Sequence, residues 1–160
     1  MLTPDSLALL EQSVGCFYGG SQPQIAEADR ALDRFRAHPQ PYALLDHLVR
    51  ARASTPVVLW GIALAEQWLT RRWRHLPPEE RQACRGAVVG LVMASAGGGE
   101  RVVALKLQHL LAVVLKADWP AGWQSFIPDL LAAPLPPADA LRILLLLAEE
   151  CFAASPPSRA

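Results

Sequence analysis

Four histidines are the first candidates for acid–base chemistry or for metal binding in this sequence. They are His38, His47, His75 and His109. A zinc site on a helix places a second histidine three to five residues away or a cysteine pair nearby, and none of the four has either. The histidines therefore predict neither a metal centre nor a general base.

The cysteines, hydroxyl residues and glycines form no better catalytic pattern. Cys16, Cys84 and Cys151 are odd in number and widely spaced, so we expect reduced, buried thiols. Ser and Thr stand at predicted helix caps, outside any nucleophile elbow. The run Gly97 to Gly99 precedes Glu100 and lacks the Lys-Ser/Thr of a phosphate-binding loop, which indicates a flexible turn. We expect no enzyme, no cofactor and no small-molecule substrate.

Five tryptophans could form an aromatic cage or a stacking platform for bases. They are Trp60, Trp68, Trp73, Trp119 and Trp123. Trp60, Leu64 and Trp68 follow one another at steps of four residues, as on one face of a helix. Trp73 and Trp119 lie near prolines at predicted corners. Packing is therefore the favoured role of these side chains.

The charge and hydropathy patterns exclude further classes of partner. Fifteen Lys and Arg balance fifteen Asp and Glu, so no net field attracts nucleic acid or an anionic membrane. One dense basic cluster, residues 71–75, lies at a predicted helix C-terminus, where it complements the helix dipole. The longest apolar run, Ile143 to Ala148, is far shorter than the roughly 18 residues of a membrane-spanning helix. The N-terminus lacks a secretory signal pattern, so we expect an intracellular protein.

Apolar residues recur at helical spacing along the whole chain, and they account for 52% of it. The first two stripes are Leu7, Leu10, Val14 and Phe17, then Ile25, Ala28, Leu32 and Phe35. Between them Gly19 and Gly20 can stop one helix and Ser21 can cap the next, which predicts a helical hairpin. His38-Pro39 ends this hairpin.

Three further hairpins follow from the proline and glycine positions. The second has helices over about residues 41–52 and from the break at 54–56 to Trp73. The third opens at Pro77-Pro78, runs to about Ser95, breaks at 97–99 and returns through Lys116. The fourth starts at Trp119-Pro120, has a short or kinked first helix because of Pro128, breaks over 133–137 and ends near Phe152.

The hairpins repeat at a period of about 40 residues, which is typical of HEAT or armadillo solenoids. The predicted fold is therefore an all-α, right-handed α-α superhelix of about four helical hairpins, with a helical bundle as the alternative. The last helix is apolar around most of its circumference, at Leu141 and from Ile143 to Leu147. A terminal repeat normally has a polar outer face, so we expect further HEAT repeats or another protein to cover this helix.

Several segments, in order, resemble the N-terminal repeats of the exportin-1 family of nuclear export receptors, in the importin-β (karyopherin) superfamily. The resemblance rests on LEQSVGCFYG at 10–19, the His-Pro at 38–39 with Tyr42, GIALAE at 61–66, KLQHLLAVVLKADWPAGWQSFIPDL at 106–130 and LLAEECFAAS at 146–155. The third of these segments is followed by Arg-Trp and Leu-Pro at 72–73 and 76–77, as in the family.

The resemblance implies an importin-β N-terminal-like HEAT-repeat domain over residues 1–155 and a disordered tail over 156–160. It also implies a role in protein export, shuttling between nucleus and cytoplasm at the nuclear pore, and binding to the GTP-bound form of the small GTPase Ran. In this family the second helix of each pair lines the concave face that contacts Ran. The corresponding polar residues here are Glu66, Gln67, Lys106, Gln108 and Lys116.

Two alternatives remain beside this interpretation. One is a generic helical scaffold that binds some other protein, and the other is a truncated remnant without Ran binding. The family's groove for leucine-rich export signals lies in central repeats, outside the segments that carry the resemblance.

Overall fold

The computed structural model describes residues 3–96, 98 and 100–152, and these form eight α-helices and no β-strand. The helices are α1 (Pro4–Gly19), α2 (Gln22–Arg36), α3 (Pro41–Arg50), α4 (Thr55–Arg72), α5 (Pro78–Ala96), α6 (Arg101–Asp118), α7 (Phe126–Ala132) and α8 (Pro137–Phe152). The all-α prediction is confirmed, and the succession of helices is compatible with a helical-repeat solenoid. In the same described part, no helix has the length and hydropathy needed to cross a bilayer.

The chain divides into two compact units, Met1–Trp68 and Leu69–Ala160. The core of the first unit draws on all four of its helices, and its buried members are Leu10, Val14, Leu32, Phe35, Leu44, Leu48, Val57 and Trp60. Phe35 and Trp60 meet edge to face with ring centroids 6.5 Å apart, a favoured aromatic geometry. In the second unit α6 packs against both α5 and α8.

The turn between α1 and α2 is built as the local sequence predicts. The Gly20 amide donates to the carbonyl of Cys16 at 2.9 Å, and a Cβ on Gly20 would lie only 2.5 Å from that oxygen. The turn therefore accepts only glycine at this position. At the next residue, the Ser21 backbone amide donates to Gln24 Oε1 at 2.8 Å, half of a capping box that starts α2. The predicted first hairpin is confirmed.

A small residue lets α3 and α4 approach each other closely. Gly61 is buried in α4, and a Cβ there would lie 2.9 Å from Leu48 Cδ1 and 3.3 Å from Leu45 Cδ1. Tyr42 and Trp68 also pack together, with ring centroids 5.8 Å apart. The leucine side chains of α3 thus fill the space that the glycine leaves.

The fourth hairpin begins later than the sequence predicts. Its first helix starts at Phe126, so the predicted start at Trp119-Pro120 is wrong. The Gly122 amide donates to the carbonyl of Asp118 at 2.7 Å, which holds the chain in an irregular turn before the helix. The helix is seven residues long, as expected from Pro128 near its start.

The structure agrees only in part with the predicted burial of the cysteines and packing of the tryptophans. Cys84 is buried, but Cys16 is half-buried and Cys151 is exposed, so burial was wrongly predicted for Cys151. Packing of tryptophan is confirmed at Trp60 and Trp73, which are both buried. Trp68, Trp119 and Trp123 are half-buried.

Some predicted features lie outside the described residues. They are Gly97 and Gly99 of the third turn and the tail over 156–160. Gly98, between those two glycines, has φ of 138°, a backbone conformation that favours glycine. Its conformation agrees with a turn at this point of the sequence.

A carboxylate on α1 caps the start of α4. The Ser54 backbone amide donates to Glu11 Oε1 at 2.7 Å, and the Ser54 hydroxyl donates to Glu11 Oε2. Ser54 is the residue whose carbonyl accepts the first helical bond, from the Val58 amide. The negative charge of Glu11 therefore stands at the positive end of the α4 dipole.

We expect Glu11→Ala to lower the free energy of unfolding by about 1 kcal/mol, because two charge-assisted hydrogen bonds at a helix start are lost. Urea denaturation followed by circular dichroism measures the change. The matched control is Glu27→Ala, at an exposed glutamate of α2, which should change stability by less than about 0.5 kcal/mol. Equal losses in both variants would contradict the capping role.

Candidate protein-binding face

Helix α6 has one accessible stripe along its length, and the opposite side of the helix is buried. Its buried side chains include Leu107, Leu110, Leu111, Val114 and Leu115. The stripe consists of Val102, Lys106, His109, Val113 and Lys116, at steps of four, three, four and three residues. We call these five residues the α6 stripe. Its two lysines are exposed and two of its other members are valines, so the stripe combines positive charges with apolar side chains.

Glu150 of α8 contacts two residues of the α6 stripe. Lys116 Nζ lies 3.0 Å from Glu150 Oε2, and His109 Nε2 lies 3.5 Å from Glu150 Oε1. Lys106 has no ion pair within the described ranges, and it is exposed. The uncompensated positive charge of the stripe therefore lies at Lys106, where an acidic group of a partner could meet it.

Gln108 points away from the α6 stripe into the core. Only 2% of its surface is exposed, and its Nε2 donates to Asp139 Oδ1 at 3.1 Å, in the first turn of α8. The sequence placed Gln108 among the polar residues that meet a partner, but in the structure this amide joins α6 to α8. Its Oε1 is buried without a hydrogen-bond partner.

The other two predicted residues lie on α4, in the first unit. Gln67 is exposed and Glu66 is half-buried. Glu66 makes an interaction within the protein, so it is not without a partner. The structure thus shows Gln67, Lys106 and Lys116 at the surface of their own units and Gln108 inside.

A polar corner that follows α6 was not predicted from the sequence. Asp118 is buried, and its Oδ2 accepts a hydrogen bond from Arg85 Nη1 of α5 at 2.5 Å. Arg85 also donates to the Gly122 carbonyl, and its guanidinium lies 5.7 Å from the Trp123 ring centroid, within cation–π range. A Cβ on Gly122 would lie 2.1 Å from Asp118 Oδ1. Arg85 and Asp118 are 33 residues apart, so no local pattern points to the pair.

Asp129 closes the same turn from the start of α7. Its Oδ2 accepts hydrogen bonds from Trp123 Nε1 at 2.9 Å and from Ser125 Oγ at 2.7 Å. The hydrogen bond from Trp123, followed by that from Ser125, lowers the pKa of the Asp129 carboxyl below its ordinary value. The carboxylate form therefore persists into mildly acidic solution and keeps Trp123 oriented beside Arg85.

The geometry defines a class of protein before any relative is considered. Over the described ranges the chain is built from helices alone, and those residues hold no group of three histidine, cysteine or acidic side chains able to ligate a metal. One surface of the second unit is the α6 stripe, which carries two exposed lysines and two valines. These features are compatible with a helical-repeat protein, in which the α6 stripe is a candidate protein-binding face.

Comparison with known proteins agrees with this class. A family model described as Exportin 1-like protein matches residues 100–159, which include α6, α7 and α8. The chain is 30% identical to Protein EXPORTIN 1B of Arabidopsis thaliana over 159 residues, which is 93% of this chain and 15% of the relative. It is 26% identical to Exportin-1 of Schizosaccharomyces pombe over 155 residues, 91% of this chain and 14% of the relative.

The chain is therefore similar to the N-terminal region of exportin-1 proteins. It spans about 15% of the length of the curated relatives it matches. The α6 stripe lies inside the segment that the family model matches.

We expect Asp118→Leu to lower the free energy of unfolding by about 2 to 3 kcal/mol, because the largely buried Arg85 guanidinium loses its counter-charge. In the double variant Arg85→Met with Asp118→Leu, the loss should be smaller than in Asp118→Leu alone, since no unpaired charge remains. Chemical denaturation of the original chain, of Arg85→Met and Asp118→Leu alone, and of the double variant gives the comparison. A double variant that loses as much as the two single variants together would show that the pair is not coupled.

Proposed function

We propose that this chain is the N-terminal part of a nuclear transport receptor and that it binds the GTP-bound form of the small GTPase Ran. Exportins are transport receptors and not enzymes, and the relatives that support this class bear that name. The observation that carries the proposal is the α6 stripe, an accessible, lysine-bearing face on the helix at which the family match begins.

The charges of the α6 stripe suit an acidic protein surface. Lys106 and Lys116 are separated by ten residues, which is roughly 15 Å along the helix axis. Lys106 would meet a partner carboxylate directly. Lys116 already contacts Glu150, so it would have to bind the partner's carboxylate and Glu150 together. Val102 and Val113 supply apolar area between and beside the cations, as protein interfaces require.

The remaining predicted residues take different roles in the proposal. Glu66 and Gln67 form a second polar contact on α4, the return helix of the second hairpin. Gln108 supports the α6 stripe indirectly, because its hydrogen bond to Asp139 fixes α6 against α8. The proposal includes a HEAT-repeat domain over residues 1–155 and shuttling between nucleus and cytoplasm.

A second candidate function is a helical scaffold that binds some other protein. The observation in its favour is that the chain spans about 15% of its relatives, so most of a receptor's length lies outside the match. Nucleotide dependence separates the two functions, since a generic scaffold has no reason to distinguish the two states of Ran.

We expect the immobilised chain to capture Ran loaded with a non-hydrolysable GTP analogue and not Ran loaded with GDP. Lys106→Glu should weaken the GTP-state complex about tenfold, since an unpaired interfacial cation becomes a repelling anion. Combining it with Glu66→Lys should weaken the complex further. Titration by surface plasmon resonance measures both affinities.

The matched control is Arg101→Glu, which makes the same charge reversal at an exposed site of α6 outside the stripe. It should leave the affinity within about twofold of the original, because distant surface charges are screened at physiological salt. Equal capture of the two nucleotide states would contradict Ran recognition. An equal effect of the two reversals would remove Lys106 from the contact.

A further inference from the structure

Basic residues cluster at the corner between α4 and α5, in the second unit. Arg71 and Arg72 end α4, and Arg74 and His75 follow on a single 3-10 turn, Trp73–His75. All four basic residues are exposed, and none of them forms an ion pair within the described ranges. We call these four residues the basic corner. Its arginines place three permanent positive charges within four positions of the sequence.

The described part of the chain does not neutralise the basic corner. The α4 dipole supplies roughly half a negative charge at its C-terminus, which is small against three arginines. Glu79 and Glu80, in the first turn of α5, make no ion pair with these arginines. By contrast, Arg36, Arg50 and Arg85 are paired with aspartates. The positive charge of the basic corner is therefore left to solvent or to a partner.

Buried groups fix the backbone of this corner. Trp73 and Leu76 are buried, so the turn is anchored on both sides of the exposed Arg74 and His75. Arg81 of α5 donates from Nε to the Leu76 carbonyl at 3.0 Å and from Nη2 to the Arg74 carbonyl at 3.1 Å. The cations of the basic corner thus extend from a backbone that is already ordered. Such a surface loses less conformational entropy when it binds.

The chemistry of the basic corner indicates its kind of partner. Trp73, the tryptophan between the arginines, is buried and cannot stack on bases, as binding of single-stranded nucleic acid would require. A further helix pair packs on its neighbour through apolar faces, and burying three guanidinium groups there without carboxylates would be strongly unfavourable. Carboxylates, in contrast, match the planar donor geometry of arginine.

We propose that the basic corner binds an acidic segment of a partner protein, through carboxylates that pair with Arg71, Arg72 and Arg74. Arg71 and Arg74 are three residues apart, so they are neighbours on a helical surface, and Arg72 lies roughly a quarter turn away. Because all three are exposed, they do not enclose a single small ion, and successive carboxylates of a polypeptide suit their spread better. This contact is separate from the α6 stripe and does not depend on Ran.

Fluorescence anisotropy of a labelled polyglutamate peptide of about ten residues, titrated with the full 160-residue chain, tests the proposal. At about 25 mM salt we expect a dissociation constant on the order of 100 µM, because exposed ion pairs are individually weak. The affinity should fall several-fold at about 150 mM salt, where such charges are screened. A peptide that does not bind at low salt overturns the proposal.

Removing the three arginine charges together should abolish most of the binding. The variant carries Arg71→Gln, Arg72→Gln and Arg74→Gln, and Gln has nearly the helix propensity of Arg. Its affinity for the peptide should fall at least about tenfold, because the carboxylates lose their counter-charges. Arg74→Gln alone should weaken binding about threefold. It decides the matter if the triple variant loses its helical circular dichroism, because an unchanged affinity then overturns the proposal.

The matched control removes three positive charges at other exposed positions, so that its net charge changes by the same amount. Its substitutions are Arg34→Gln, Arg52→Gln and Arg101→Gln. The affinity of this control should stay within about twofold of the original, because distant surface charges contribute little. Equal losses in the two triple variants would show that net charge alone drives binding, and they would overturn the proposal.

Two further titrations test the class of partner and the place of binding. A labelled oligothymidylate of about ten nucleotides should bind more weakly than the peptide, because the buried Trp73 offers its bases no stacking surface. A peptide that binds no better than this oligonucleotide overturns the assignment to an acidic protein. Lys106→Glu should leave the peptide affinity within about twofold of the original. A larger loss in Lys106→Glu than in the triple variant of the basic corner would place the peptide on the α6 stripe and overturn the proposal.

Discussion

The structure of the second unit depends on burying α6 on two sides at once. A helix with apolar residues over most of its circumference cannot rest against a single neighbour, so α5 and α8 both pack on it. Each fully buried leucine contributes on the order of 1.5 to 3 kcal/mol, and α6 has several. The α6 stripe lies on the side of α6 opposite to these buried leucines.

Polar contacts at the margins fix how α6 sits between its neighbours. Gln108 joins it to the start of α8, Glu150 holds Lys116 nearer the end of α8, and Asp118 joins its last turn to Arg85 of α5. Apolar packing alone is not directional, whereas these contacts have defined partners. The position of Lys106 at the surface is therefore a consequence of the core and of contacts on the other sides of the helix.

The sequence predicts the helices well where the signals are local. Gly20, Ser21 and Pro41 act within a few residues of themselves, so the first hairpin and the start of α3 could be placed from types and spacing. The later start of α7 could not, because the turn before it is held by Arg85, which is remote in sequence.

The candidate site, like the helices, could be predicted from the sequence only in part. The resemblance to exportin-1 proteins pointed to α6, and spacing alone suffices to place Lys106 and Lys116 near one face. The burial of Gln108 depends on Asp139, 31 residues further on, so its inward direction had no local signal. The apolar surface of α8 was visible in the sequence as excess hydrophobicity, but only the structure separates the exposed leucines of this helix from the buried ones.

Lys106 and Lys116 are the two lysines of the chain, and both lie on the α6 stripe. Acetylation with a lysine-specific reagent, read by mass spectrometry, therefore reports on this face with little background from other side chains. With saturating Ran in the GTP state, we expect the acetylation of Lys106 to slow several-fold, and with Ran in the GDP state we expect no change. Unchanged acetylation of Lys106 in a sample where GTP-loaded Ran is demonstrably bound would contradict the assignment of the α6 stripe as the binding face.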